Sequence, residues 1–328
     1  MMPMLVSAAV AFVIALVCAV AIGFAIQRGS TCAVTAVSEF VNTRSASRLG
    51  ALLEAQVWVL GLLVAGHVLF RIHIQLPVYE LSAATFAGGL LLGVGAWING
   101  ACLVGLIGRI GSGDLAFVAA PIGFFLGRLS VEPLLYMPKP VRSGSIIFEF
   151  PGLVLVSFLV FLAWRSWRIV TLVQQERALG PTLRHLWHPR TSTTIIGIAF
   201  AIMVPFAGMW AYTEVLADIA GGRKMNLLGR CGLFLALLLG SVTAGVFLKG
   251  ARIRPLRMFR VLRCLSGGVI MAWGSALVPG GNDALSLVGQ PFLLPYAWTA
   301  MATMYGTLFI GMSALAIIKR KQQDKCQG

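Results

Sequence analysis

Two of the six cysteines each follow a broken, glycine-bearing turn. Cys32 closes Arg28-Gly29-Ser30-Thr31-Cys32, and Cys102 closes Asn99-Gly100-Ala101-Cys102. A thiol beside a helix break meets whatever crosses an adjoining cavity. As an S–H donor, or as a thiolate near a positive helix end, it suits a soft, sulfur-bearing ligand. The other cysteines read differently. Cys18, Cys231 and Cys264 lie in smooth apolar sequence as small hydrophobes, and Cys326 lies in a polar tail. No CxxC spacing and no zinc pattern with the four histidines is present. No GxxxxGK[ST] loop is present to hold a nucleotide.

Eight ionisable residues fall within or at the edge of apolar sequence: Arg28, Glu39, Glu54, Glu132, Glu214, Asp218, Arg230 and Asp283. There a charge costs roughly 2.5–3.5 kcal/mol on the gentler insertion scale. Glu54 is expected to pair with Arg28 or Arg48. Glu214 and Asp218, spaced i, i+4, share a helix face and are expected to hold Arg223 or Arg230. Arg28 is also placed to cap the inner end of the first helix, and His67 beside Arg71 reads as interfacial. None of these residues forms a carboxylate–histidine or metal-ligand set, so hydrolytic or metal chemistry has no support and no cofactor is implied.

The elements carrying these residues are set by composition. Of 328 residues, 58% are hydrophobic and 11% charged, against about 25% charged in a soluble protein. Mean hydropathy is +0.88. A soluble core of this size cannot bury that much apolar surface, which excludes a soluble enzyme, and disorder is excluded as well. The net charge of +15 falls between apolar runs, so it points to loops on anionic lipid rather than to nucleic acid.

The sequence therefore predicts an all-α integral membrane protein with nine spans, near 5–26, 50–70, 83–108, 115–136, 146–164, 194–210, 231–249, 264–278 and 295–318. No basic residue precedes the first run, which is expected to stay as a span rather than be cleaved. Basic stretches at 165–190 (Arg165, Arg168, Arg177, Arg184, Arg190) and 249–263 (Lys249, Arg252, Arg254, Arg257, Arg260, Arg263), with the tail Lys319, Arg320 and Lys321, belong inside. Arg44 and Arg48 also fall inside, and Lys139 and Arg142 outside. This puts the N-terminus out and the C-terminus in the cytoplasm.

One linking span between two sets of four inverts the second set, which predicts two inverted, pseudo-symmetric halves. A single transmembrane domain divides into 1–136, a linking helix and basic loop at 137–193, a second half at 194–318, and a tail at 319–328. Ser47–Gly66 echoes Asn226–Gly245, and Gly93–Cys102 echoes Trp273–Asn282. Four stretches mix glycine and polar residues at membrane depth: Gly23–Asn42, Gly93–Asp114, Gly208–Arg223 and Gly267–Gly289. Freed backbone groups cannot face lipid, so such re-entrant or half helices must meet at a central site between the halves.

Three segments carry a family resemblance: GFAIQRGSTCAV (23–34), GVGAWINGACLVGLIGRIGSGD (93–114) and ALVPGGND (276–283). Together they resemble, in order and over most of the chain, the YeeE/YedE family of bacterial sulfur transport membrane proteins. The resemblance implies an hourglass-shaped importer of thiosulfate or a related small sulfur-containing anion. It further implies three cysteines at the constriction that relay the ion through S–H···S contacts. The first two fall on Cys32 and Cys102. The third falls on Asn282, preceded by Gly281, where an amide can donate to an oxyanion but cannot act as a thiol. Another small anion is therefore as admissible a substrate as thiosulfate. Arg28, Gln27 and Asn99 are expected nearby as positive or donor groups. The resemblance also implies a cytosolic TusA-like sulfur carrier as partner. A membrane-embedded thiol enzyme passing sulfur as a persulfide to that carrier is the competing reading, and a non-catalytic scaffold is a third.

Overall fold

The computed structural model describes residues 7–72, 74, 76–131, 138–143, 145–179, 187–223, 226–249 and 254–327. Glu132, Arg184 and Arg252 lie outside these residues. So do the side chains of Arg142, Arg177, Lys249, Lys319, Arg320, Lys321 and Cys326. The fold is nearly all helical. In order the helices are α1 (Ala8–Gly29), α2 (Ala33–Thr43), α3 (Ser47–Phe70), α4 (Ala83–Asn99), α5 (Leu103–Gly111), α6 (Ala119–Val131) and α7 (Pro151–Leu179). They continue with α8 (Pro189–Ala207), α9 (Tyr212–Ala220), α10 (Leu227–Lys249), α11 (Met258–Leu277), α12 (Asn282–Ala284) and α13 (Pro295–Gln327). After α12 the chain widens into a π-type turn, Leu285–Gly289. A two-residue antiparallel pair, β1 (Pro77–Val78) with β2 (Arg142–Ser143), joins two loops.

Among the described residues, six helical stretches are long and apolar enough to cross a membrane, with α1–α2 and α4–α5 each counted once. The bent pair of α11 with Asn282–Gly289, at 58°, makes a seventh. The protein is a multi-pass membrane protein. The expected run at 115–136 appears as Leu115–Val131, apolar but shorter than a span. Two expected spans begin earlier than their apolar runs, α10 at Leu227 and α11 at Met258. Arg230, Arg260 and Arg263 therefore lie inside helices, because a long basic side chain can reach out from an end turn and need not terminate it.

The four glycine-rich stretches are where long helices give way to short ones: α1 to α2, α4 to α5, α8 to α9 and α11 to α12. From α1 to α6 and again from α8 to α13, the second and fifth helices (α2 and α5, α9 and α12) are the shortest of their set. Packing follows the same exchange. α1 packs on α10 as α8 does on α3, α4 on α13 as α11 does on α6, and α2 on α13 as α9 does on α6. α1 also meets α8, and α4 meets α11. The α1–α10 crossing is backbone against backbone. A Cβ on Gly23 would strike the Leu237 carbonyl, and one on Gly240 would strike the Val20 carbonyl. Lipid offers no hydrophobic drive between helices, so close approach of this kind holds them together.

α7 is held to this bundle by an ion cluster different from the expected one. Glu54, 7% exposed, meets Arg165 Nε at 2.6 Å and Arg190 Nε at 3.9 Å. It also accepts from Thr194 Oγ1 at 3.3 Å. Neither Arg28 nor Arg48 takes it. Arg48 is engaged by Glu39 at 3.1 Å and by the Gly29 and Ser30 carbonyls at 3.2 Å. The partner comes from α7, more than a hundred residues along, where spacing within α3 gives no hint of it. Aromatic edges of Trp58, Phe158 and Phe161 complete the α3–α7 contact.

Removing one member of a buried pair leaves the other charge uncompensated, which costs about 3–5 kcal/mol. Thermal unfolding of purified Glu54→Ala is expected to show a loss of that order. Glu39→Ala, at a partly exposed pair, is expected to lose under about 1 kcal/mol.

Candidate functional site

Each short helix starts where the chain, leaving a long helix, turns sharply into extended backbone. Before α5 the turn is made by Gly100 at φ 69°, and before α12 by Gly280 at φ 99°, a region open to glycine at little cost. The residues that then begin the short helices, Cys32, Cys102, Ala211 and Gly281, are all extended. None caps its own helix with a side-chain hydrogen bond. Leading backbone N–H groups of a helix have no partner within it, and lipid supplies none. For three of the four starts, α2, α5 and α9, an acceptor comes from another break.

Cys102 Sγ accepts from the Ala33 N–H of α2 at 3.3 Å, and Cys32 Sγ accepts from the Cys102 N–H that opens α5 at 3.4 Å. The two sulfurs lie 3.4 Å apart, a thiol–thiol contact and far longer than a disulfide bond. Asn282 Oδ1 accepts from the Leu103 N–H of α5 at 3.1 Å. Asp283 takes the Thr213 N–H of α9 at 3.3 Å and the Thr213 hydroxyl at 2.7 Å. The Tyr212 hydroxyl donates to the Leu103 carbonyl at 2.6 Å. Four breaks distant in sequence thus close on one another through two thiols, an amide and a carboxylate. Cys102 is 1% exposed and Asn282 2%. Gly281 is needed for this closure, since a Cβ there would come within 2.8 Å of Thr213 Oγ1.

A cavity of about 70 Å³ lies against this cluster, lined by Cys32, Cys102, Asn282, Asp283 and Tyr212 among apolar side chains. Two larger cavities approach it. One, of about 780 Å³, reaches Gly281 and Thr213 and is walled by Arg128, Glu214, Asp218 and Arg230. There Arg230 bridges both carboxylates, reaching Glu214 at 3.1 Å and Asp218 more tightly, and Arg223 lies 3.6 Å from Asp218. The other, of about 500 Å³, reaches Asn99 and Gly100. They lie at opposite ends of α11, the first touching Ser275 and Ala276, the second Arg260 and Arg263.

Of the expected residues, Cys32, Cys102, Asn282 and Gly281 come together. Gln27, Arg28 and Asn99 do not line the cavity at the thiols. Gln27 Nε2 donates to Ser112 Oγ at 2.8 Å. The Arg28 guanidinium lies over the rings of Phe24 and Trp187, at 5.7 and 5.1 Å. Asn99 is wholly buried against α11. With its amide oriented to donate, it reaches the Cys264 and Arg263 carbonyls at 3.1 and 3.2 Å. His67 Nδ1 lies 2.9 Å from the Ile72 carbonyl. Tyr212 and Thr213 join the cluster without any expectation from the sequence. The only signals that point to them are the third break, Gly208–Arg223, and the acid beside Asn282.

The sequence model of the sulphur transport family matches residues 28–310, most of the chain. The chain belongs to the sulphur transport (YeeE/YedE) family. The chain is matched from Arg28, inside the first break, to beyond the other three. It is also similar to the thiosulfate transporter TsuA of Escherichia coli (strain K12), 24% identical over 344 aligned positions, covering 88% of this chain and 94% of TsuA.

Removing the Asn282 acceptor strands a buried N–H, at a cost of about 1–3 kcal/mol. Asn282→Ala is expected to lower the unfolding temperature of the purified transporter. Asn282→Asp, which keeps an acceptor for Leu103, and Asn42→Ala, at an exposed pair, are expected to lower it less.

Proposed function

We propose that the protein imports a small sulfur-containing anion, thiosulfate or a compound of that class, through a constriction formed by Cys32, Cys102 and Asn282. The convergence of helix starts on the two thiols carries the reading. Each helix N-terminus presents about half a positive charge. Backbone N–H groups at such ends bind anions without a resident cation. The groups that cap these ends in the closed state are the ones an anion would displace. An ion entering between Cys32 and Cys102 takes over the Ala33 and Cys102 N–H groups, while the released thiols turn their S–H donors to it. A terminal sulfur suits the thiols, and the oxyanion end suits the Asn282 amide as donor.

In this reading the two large cavities are the two bowls of an hourglass. The basic cavity at Arg254, Arg257, Arg260 and Arg263 is cytoplasmic by the excess of arginine, which sets the 780 Å³ cavity outside. Nine crossings then follow, with α1–α6 and α8–α13 as inverted halves, α7 between them, the N-terminus out and the C-terminus in the bacterial cytoplasm. The exchanged packing of the two sets supports this division. A TusA-like carrier received on the basic 165–190 stretch would take the sulfur onward.

The test is uptake of labelled thiosulfate into liposomes holding the purified protein. Losing one hydrogen bond to a charged group costs about 1.5–3 kcal/mol, or roughly 10- to 100-fold in rate. Cys32→Ala and Cys102→Ala are each expected to fall by that much, and Asn282→Cys to retain transport. Undiminished uptake by the Cys32→Ala/Cys102→Ala double variant would end the proposal.

A further inference from the structure

The 500 Å³ cavity beyond the thiols is lined by five arginines, Arg109, Arg254, Arg257, Arg260 and Arg263. Among the described residues its single acid is Asp114, which meets Arg260 at 3.0 Å and Arg254 at 3.6 Å. Among the described residues no carboxylate pairs with Arg109, Arg257 or Arg263. Arg109 instead lies over the Phe117 ring at 5.8 Å. Three of the five recur at intervals of three on one face of α11's start, Arg257 being the residue before its first turn. Like charges at that spacing repel. A helix start disfavours cations, and this one has no side-chain cap. Lipid-facing arginines need not converge on a cavity, yet these do, from α5, from the loop before α11 and from α11 itself. What would make the arrangement favourable is an anion among them, since guanidinium forks bind oxyanions in pairs.

We infer that this cavity is a binding site for a doubly charged tetrahedral oxyanion of the sulfate and phosphate class, distinct from the thiol constriction. Arg257 and Arg263 are its principal ligands, and Arg260 is shared with Asp114. The cavity exceeds one such ion, so the ion enters with water or as the headgroup phosphate of an anionic lipid. A guanidinium nitrogen of Arg263 lies 3.8 Å from where a Cβ on Gly100 would stand. Gly100 is two residues before Cys102, so the site adjoins the turn that carries the second thiol. The inference does not depend on transport, because it concerns binding to the purified chain.

The experiment is equilibrium binding of ³⁵S-sulfate to the detergent-purified full chain, with inorganic phosphate as competitor. Saturable binding of one sulfate per chain, displaced by phosphate, is expected. Arg257→Gln/Arg263→Gln should weaken it at least about tenfold, the effect of losing one charge-assisted bond or more. Arg168→Gln, on an exposed arginine of α7, should leave it unchanged. Sulfate should also raise the unfolding temperature of the unmodified protein above that in chloride of equal ionic strength, a readout that needs no variant. In phosphatidylcholine nanodiscs binding should persist. Its loss on adding phosphatidylglycerol would identify a lipid headgroup as the occupant of the same site. Absence of saturable sulfate binding in detergent, or binding that the double variant leaves intact, would overturn the inference.

Discussion

A helix that begins inside a membrane has backbone donors with nothing to meet, and this constraint shapes the centre of the molecule. The four short helices find no partner in lipid, and their own first residues do not cap them with a side-chain hydrogen bond. Three of the starts take a side-chain acceptor from a residue at another break: α2 from Cys102, α5 from Cys32 and Asn282, α9 from Asp283. The breaks must therefore form together or not at all. A single glycine-rich turn would be a defect, but interlocked breaks make a closed hydrogen-bonded cluster between the two halves of the chain.

Everything outside the cluster keeps the breaks in register. The reciprocal glycine crossing of α1 and α10 brings the first break beside the second half. α4 and α11 pack together and deliver Cys102 and Asn282 to the same depth from opposite halves. The Glu54 cluster ties α3, α7 and α8 at one end. The Gln56 amide donates to Gln290 at 2.9 Å, joining α3 to the region just past α12. These polar contacts are few, buried and long in sequence separation, which suits a medium where each unpaired group is expensive.

The same constraint decides which features are legible in the order of residues alone. Apolar length exposes the membrane class and the long helices, because hydrocarbon thickness imposes it residue by residue. The breaks are legible as glycine and polar residues in apolar runs, and so are Cys32 and Cys102 as thiols placed just after them. What stays hidden depends on who meets whom. Glu54 has arginines close in sequence, yet its partner is Arg165 on a distant helix. Arg28 and Gln27 lie within five residues of Cys32, but they end one helix turn too early and face Trp187 and Ser112. Asp283 is visible as an acid in apolar sequence, while its task, capping a helix seventy residues away, needs the fold. Charge draws the eye to ends of helices, whereas the site is made mostly of uncharged groups.

The charge distribution along α11 adds a direction to this. At the end where the chain breaks toward Asn282, the cavity walls hold arginines whose charge is partly offset by Glu214 and Asp218, with Arg230 held between them. At the other end five arginines face one aspartate. Glu214 and Asp218 offset only part of the first wall, which holds Arg128, Lys139, Arg223 and Arg230, so among the described residues both walls are positive and the second more so. Among the described residues, no basic side chain lines the cavity at the thiols. The donors that face its thiols and amide are backbone N–H groups at helix starts, positive in character without a full point charge. The Asn282 amide oxygen caps α5, and its nitrogen is a hydrogen-bond donor as well. A thiol has less to offer in both roles, as a weaker acceptor and a weaker donor. An amide here therefore sets a hard, oxygen-matched hydrogen-bonding group beside the softer sulfurs of Cys32 and Cys102.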